Sequence, residues 1–303
     1  MSLQKWRPKP RRAPGRLASF CLGDLVLPSQ FNTTTTHPMI EQLESRIAPA
    51  AVATFFEADG DKVTIKSKFG TSADLQSTLI DQNSNPIPVG GTGVTNFKID
   101  LIKTNALALE FEGTDLTVSA SGGTGFSAKA VDFVRINAYD SGNVNSIDLG
   151  KVTVKGHLVY IDAGDGDTAT PAIKSLTATD MGPDENGTNA ISSEIHGNIG
   201  TIKITKDFDG YIKSVDASGS SNFNSGIGTK IGSFYVGNSI ASIDGDDIGH
   251  LQVGTIGKLT VKNVFLGPSV PANYTDCGLF EIGEFIDQMA IKRMATNARI
   301  VLS

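Results

Sequence analysis

The stretch that decides the fold is Ile248-Gly249-His250-Leu251-Gln252-Val253, followed at once by Ile256-Gly257-Lys258-Leu259-Thr260-Val261. Both are hexads of the form apolar-x-x-apolar-x-apolar. The same hexad starts at Ile231 and Ile240, so these four starts are separated by 9, 8 and 8 residues. Upstream it recurs at Val144, Ile173, Ile199 and Ile212, where the last position is sometimes Ala. One such strand buries too little surface to fold alone. Stacked in register on its neighbours, its apolar residues make a continuous core and its backbone groups pair above and below. The hexads at 144, 173 and 199 lie 29 and 26 residues apart. A β-helical coil of two or three such strands needs roughly 20–30 residues, counting strands and turns. The closely spaced hexads are then successive faces of one coil. The pattern predicts an all-β chain, a single-stranded parallel β-helix (β-solenoid) with irregular caps. A β-sandwich of hairpins is the alternative, but its preferred Asn-Gly and Asp-Gly turns are few at these junctions.

Working outward, residues 141–266 are the regular coils. Residues 51–140 hold longer and less regular alternating runs, such as Lys62–Lys66, Phe97–Leu101 and Leu107–Phe111, broken by turn dipeptides including Asp59-Gly60 and Gly122-Gly123. This region is read as an irregular β region, an N-terminal cap with the first coils. Residues 267–303 are read as a C-terminal cap, with the segment Phe280–Ile291 a short helix or a last strand. Open solenoid ends need covering, because exposed strand rows invite aggregation.

Residues 1–50 are a basic leader. Six basic and no acidic residues fall in the first 16 positions, and a short, interrupted apolar stretch runs from Leu17 to Leu27. The segment Leu43-Glu44-Ser45-Arg46-Ile47-Ala48-Pro49-Ala50 resembles the N-terminal L-E-P-R motif of exported and surface proteins of planctomycete and verrucomicrobial bacteria. Leu43, Glu44 and Arg46 carry the match, Pro49 belongs to a frequent continuation, and Ser45 stands where the family commonly has proline. The resemblance covers about residues 1–52. It implies export to the cell surface, outer envelope or medium, and names no activity. Small residues follow at Ala50, Ala51 and Ala53, which places the start of the mature chain near Ala50.

From Ala50 onward there are 19 basic and 29 acidic residues, a net charge of −10. Such a body repels phosphate backbones, so nucleic acid is not an expected partner. No run of 18 apolar residues indicates a transmembrane segment. With Cys21 in the leader, Cys277 has no partner in the body, and stability must come from stacking rather than disulfides.

Candidate chemistry is sparse. Carboxylates gather in turns at Asp162, Asp165 and Asp167, and again at Asp244, Asp246 and Asp247. Calcium takes six to eight oxygens, so each group is a partial site that adjacent coils would have to complete. Asp132, Arg135 and Asp140 are the candidate catalytic cluster, since Arg135 is the only arginine between Arg46 and Arg293. No nucleophile elbow, dinucleotide fingerprint or phosphate loop occurs, and the four histidines lack zinc spacing. The composition favours a structural or interaction protein, non-enzymatic, that assembles with itself or contacts a surface polysaccharide or protein. The alternatives are a polysaccharide-processing β-helix enzyme, lyase or glycoside hydrolase, and a calcium-stabilised adhesin.

Overall fold

A computed structural model describes residues 50–122, 130–141, 145–184, 190–215, 229–241, 247–266, 277–295 and 297–302. All of them belong to the compact unit Ile47–Ser303. The leader with Leu43, Glu44, Arg46 and Pro49 lies outside the described residues, as do Val144, Asp244 and Asp246.

The chain is a parallel β-solenoid. One face of its coils is built by β5 (Thr114–Gly122), the first half of β7 (Leu149–Ala163), β8 (Pro171–Met181), β10 (Asn198–Ile204), β12 (Lys230–Val236), β14 (Thr255–Phe265) and β16 (Ile286–Met294). From β5 onward each strand pairs in parallel with the same strand of the next coil. The hexads of this face stack position by position. Leu149, Ile173, Ile199, Ile231 and Ile256 share one register, and Val152, Leu176, Ile202, Phe234 and Leu259 another. All ten are at most 2% exposed, which makes these two rows the spine of the core. The first coil hexad therefore begins at Leu149-Gly150-Lys151-Val152, five residues later than the Val144 start that the spacing suggested.

The second hexad position carries Gly200, Gly232 and Gly257, stacked on one another. A Cβ at Gly200 would lie 2.2 Å from the carbonyl oxygen of Lys174, and one at Gly232 would lie 2.5 Å from that of Gly200. The coils approach closely here, so glycine recurs for lack of room rather than for turn freedom.

The second face consists of β4 (Phe97–Asp100), β6 (Val131–Ala138), the second half of β7, β9 (Ser192–His196), β11 (Tyr211–Val215), β13 (His250–Val253), β15 (Leu279–Ile282) and β17 (Arg299–Leu302). It too is parallel throughout. Among the described residues, a third side is a column of parallel bridges joining Met181, Phe208, Ile240 and Phe265. Thus Ile231, Ile240 and Ile248 mark three sides of one coil, and Ile256 opens the next. Rings of Phe208, Phe234, Phe265 and Phe280 fill the axis, with neighbouring centroids 4.8–5.8 Å apart. Cys277 is buried.

The hexad phase slips on the second face. In β11 it is Ser214, not Val215, that shares the register of core Ile195. Strands of four or five residues hold only two inward positions, so the three-point hexad cannot be kept there.

The N-terminal end is built differently. β1 (Ala51–Phe56) and β2 (Asp61–Ser67) form an antiparallel hairpin, and β2 joins β5 antiparallel. β3 (Leu79–Asp81) pairs antiparallel with β4. Two short helices, α1 (Ser72–Ser77) and α2 (Asn105–Phe111), start at the N-caps Thr71 and Thr104, whose side chains accept from Asp74 N and Leu107 N. They insert Leu75, Ala108 and Phe111 into the same core. At the other end the segment Phe280–Ile291 spans two strands, β15 and the start of β16, rather than a helix. β16 and β17 continue the parallel register, with Met289 and Leu302 each 58% exposed.

Candidate functional site

Alternation along the second face turns its polar residues outward, one pair per coil. One outward row runs Asp100, Asn137, Asp162, Glu194, Lys213, Gln252 and Glu281, and a neighbouring one contains Lys98, Arg135, Tyr160, Tyr211 and His250, the last covered by its neighbours. Successive coils are about 4.8 Å apart, which brings neighbouring groups of a row within reach of one another. Asn137 Nδ2 donates to Asp100 Oδ1 at 3.1 Å, and Lys98 pairs with Asp100 at 3.1 Å. Lys213 lies 3.6 Å from Glu194. Tyr211 donates its hydroxyl to Gln252 at 2.6 Å, and Gln252 in turn donates to Glu281 at 2.6 Å. Two ring stacks brace the row. Tyr139 lies on His196 with centroids 3.6 Å apart, and Tyr211 lies on His250 at 4.3 Å.

Asp162 is the most perturbed group of this face. Burial pushes its carboxyl up to about 7, the backbone N–H donated by Glu194 at 2.8 Å opposes this, and the Glu194 charge adds to it. Burial likewise pushes the Tyr160 phenol up to about 12. Asp162 therefore sits where a carboxyl can hold a proton near neutral pH.

The sequence candidates are distributed over this scaffold. Asp132 and Arg135 lie on β6 and Asp140 just beyond it. Arg135 pairs with Asp184 at 2.5 Å. Asp132 N donates to Glu57 Oε1 at 2.9 Å, and Asp140 N donates to Ser146 Oγ at 3.0 Å. Asp162 belongs to the outward row, whereas Asp165 and Asp167 sit in the turn after β7. There Asp165 N donates to Asp148, which also accepts from Thr170 Oγ1 at 2.6 Å. Glu112 adjoins this group, its carboxyl pushed up to about 7 by burial and by Asp148. Asp247 lies 3.1 Å from His250 Nδ1, and Glu281 lies 3.1 Å from its Nε2, so the ring is held between two carboxylates.

His157 borders a cleft of 360 Å³ lined also by Asp132, Phe133, Asp180 and Lys206. Its Nδ1 faces Asp180 at 2.5 Å, and its Nε2 faces the carbonyl oxygens of Pro183 and Gly182 at 2.9 and 3.2 Å. Carbonyls only accept, so Nε2 must donate. Burial lowers the affinity of this ring for its proton, but Asp180 and the two carbonyls outweigh it and raise the value. A ring committed to acceptors on both sides is a clamp, not a free base.

Sequence reasoning did not single out Tyr160, Glu194, Asp184 or Glu57. Glu57, Asp59 and Asp61 each offer a carboxylate oxygen, all within 4.8 Å of one another. Burial pushes the Glu57 carboxyl up to about 8, with Asp132, Asp59 and Asp61 contributing repulsion. The signal was present as carboxylates at alternate positions around the Asp59-Gly60 turn, which was read only as a strand breaker.

No family model, no curated protein and no solved structure matches the chain. No helix among the described residues is long and apolar enough to cross a membrane.

Proposed function

We propose that this chain is an exported or surface-displayed structural protein that acts by binding, with the outside of the second face as its contact surface. The observation that carries this reading is the outward row from Asp100 to Glu281. It offers a hydrogen-bonding group on every coil, in register, with stacked Tyr–His rings beside it. Such a ladder suits weak contacts repeated along an extended surface polysaccharide or protein. The leader and the motif at Leu43, Glu44, Arg46 and Pro49 support export, and β1 begins at Ala51, immediately after the expected processing point.

Fractionation of native cells with N-terminal sequencing tests the export. A start near Ala50 in the envelope or medium is the expected result, and an intact Met1 in the cytoplasm overturns it. Co-sedimentation with isolated envelope polysaccharide and protein tests the surface. Tyr211→Ala and Glu194→Ala should each weaken retention about tenfold, the size of a lost 1.4 kcal/mol contact. Lys203→Ala on the first face should not. Equal retention of all three sinks the assignment of the face.

A second reading rests on Asp162. A carboxyl held up to about 7 beside the Glu194 carboxylate is the arrangement of a general acid with a partner. As a polysaccharide-processing enzyme the chain would release new chain ends from acidic or neutral polysaccharides, and Asp162→Asn would abolish that release. An absence of product across such substrates removes this reading and leaves binding.

A further inference from the structure

The turn between β1 and β2 places three carboxylates at alternate positions, Glu57, Asp59 and Asp61. Gly60 adopts φ +91 between the last two, which lets the chain fold back on itself. Glu57 N donates to Asp61 O at 2.8 Å and Gly60 N to Glu57 O at 3.1 Å, so the turn is held by its own backbone. The fourth acidic residue, Asp132, arrives from β6 and donates its backbone N–H to Glu57 Oε1.

A second observation at this cluster points to a ligand. Glu57 is only 2% exposed, and its Oε2 has no hydrogen-bond partner. A buried carboxylate oxygen left without a donor, amid three more carboxylates, is costly. A small electropositive partner would fit there, among ligand oxygens that lie within 4.8 Å of one another.

We propose that Glu57, Asp59 and Asp61 bind a calcium ion that ties the β1–β2 turn to β6 at the N-terminal end of the solenoid. The donor set is all oxygen, with no histidine or cysteine, which selects a hard cation. Three carboxylates on a turn leave several positions to water. Calcium accepts that irregular, partly hydrated shell at high coordination number, whereas magnesium demands near-ideal octahedral geometry. The ion supplies what Glu57 Oε2 lacks, and the negative field of Asp132 strengthens the site without crowding it. Its place is structural. The antiparallel hairpin is where the chain departs from the coil register, and the cation fixes it against the first parallel strands.

The test uses the full chain, stripped with a chelator and titrated with calcium chloride by calorimetry, alongside thermal unfolding with and without the ion. One site per chain with submillimolar affinity is expected, the range of extracellular calcium modules being about 10⁻⁴–10⁻³ M. Saturating calcium should raise the melting temperature by about 5 °C. Glu57→Gln keeps the shape and the acceptor for Asp132 N. It should fold as well as the parent without calcium and lose at least tenfold in affinity. Should Glu57→Gln fail to fold, the more exposed Asp59→Asn provides the same readout. Asp165→Asn, in the other acidic turn, should titrate as the parent does. The proposal is overturned by a parent chain with neither heat nor thermal shift at millimolar calcium. It is equally overturned by an Asp59→Asn chain that binds as tightly as the parent.

Discussion

The two long faces of the solenoid share one backbone architecture and carry opposite surfaces. On the first, the outward rows read Lys151, Ser175, Thr201, Ser233, Lys258 and Thr153, Thr177, Lys203, Tyr235, Thr260, with no carboxylate in either. On the second, Asp100, Asp162, Glu194 and Glu281 alternate with Lys98, Arg135, Lys213, tyrosines and histidines. The inward rows differ in the same sense. The first face keeps three apolar positions per strand in fixed order, whereas the second admits Ser193 and Ser214 into core registers. The face that is most regular inside is the plainest outside. Regularity serves the stacking of coils, and the chemistry collects where the strands are short and the repeat is loosest.

That contrast is open to breakage, beginning with the largest effect. Phe234→Ala removes a fully buried ring that meets Phe208 at 5.1 Å, and should cost about 4 kcal/mol in denaturant unfolding. A loss below about 1 kcal/mol would mean that the first face is not the spine. Gly232→Val should cost roughly 3 kcal/mol, because its Cβ would lie 2.5 Å from the Gly200 carbonyl oxygen. A tolerated valine there would show that the coils can part, and the glycine column would need another explanation.

Asp162 sharpens the other side of the comparison. Its folded value of about 7 lies above the usual 3.8, so below pH 3.8 both states are protonated and the group is neutral to stability. As pH rises the unfolded chain ionises first, and stability falls until about pH 7, beyond which the loss is constant. Asp162→Asn should therefore match the parent at pH 3 and exceed it by about 2 kcal/mol at pH 8, a conservative share of the linkage scale. Identical pH profiles would place Asp162 in open water. The smallest effect belongs to the first face's surface. Lys203→Ala should stay within about 0.5 kcal/mol of the parent in the same unfolding assay, and a larger change would give the outside of that face a part in stability.

The hexads at Ile173, Ile199, Ile231 and Ile256 were legible because each occupies a strand long enough to show three inward positions. The hexad at Leu149 has the same form but was masked by Val144 and Ile147 just before it, which set a false phase. The two strands across Phe280–Ile291 were ambiguous for a related reason. Gly283 and Glu284 join two short apolar runs whose combined spacing also fits a helix. Of the candidate sites, Asp162 was visible as one of three aspartates in a turn. Its separation from Asp165 and Asp167 was not, because β7 ends between them and sends their side chains to different neighbours.

By itself the sequence determined the class of the fold. A hexad repeated at coil spacing with polar residues between has one economical burial, the stacking of like on like, and that is a local property summed along the chain. It also determined the acidic body and the basic head, which are counts. Only the tertiary structure decided which carboxylates meet. Asp162 finds Glu194 32 residues later, and Glu57 finds Asp132 75 residues later, through parallel registers and a cross-coil contact rather than a motif. A solenoid coil brings together residues one turn apart, and turn length varies with every loop. The spacing of partners along the chain therefore carries no fixed signature, while the spacing of core residues within a strand does.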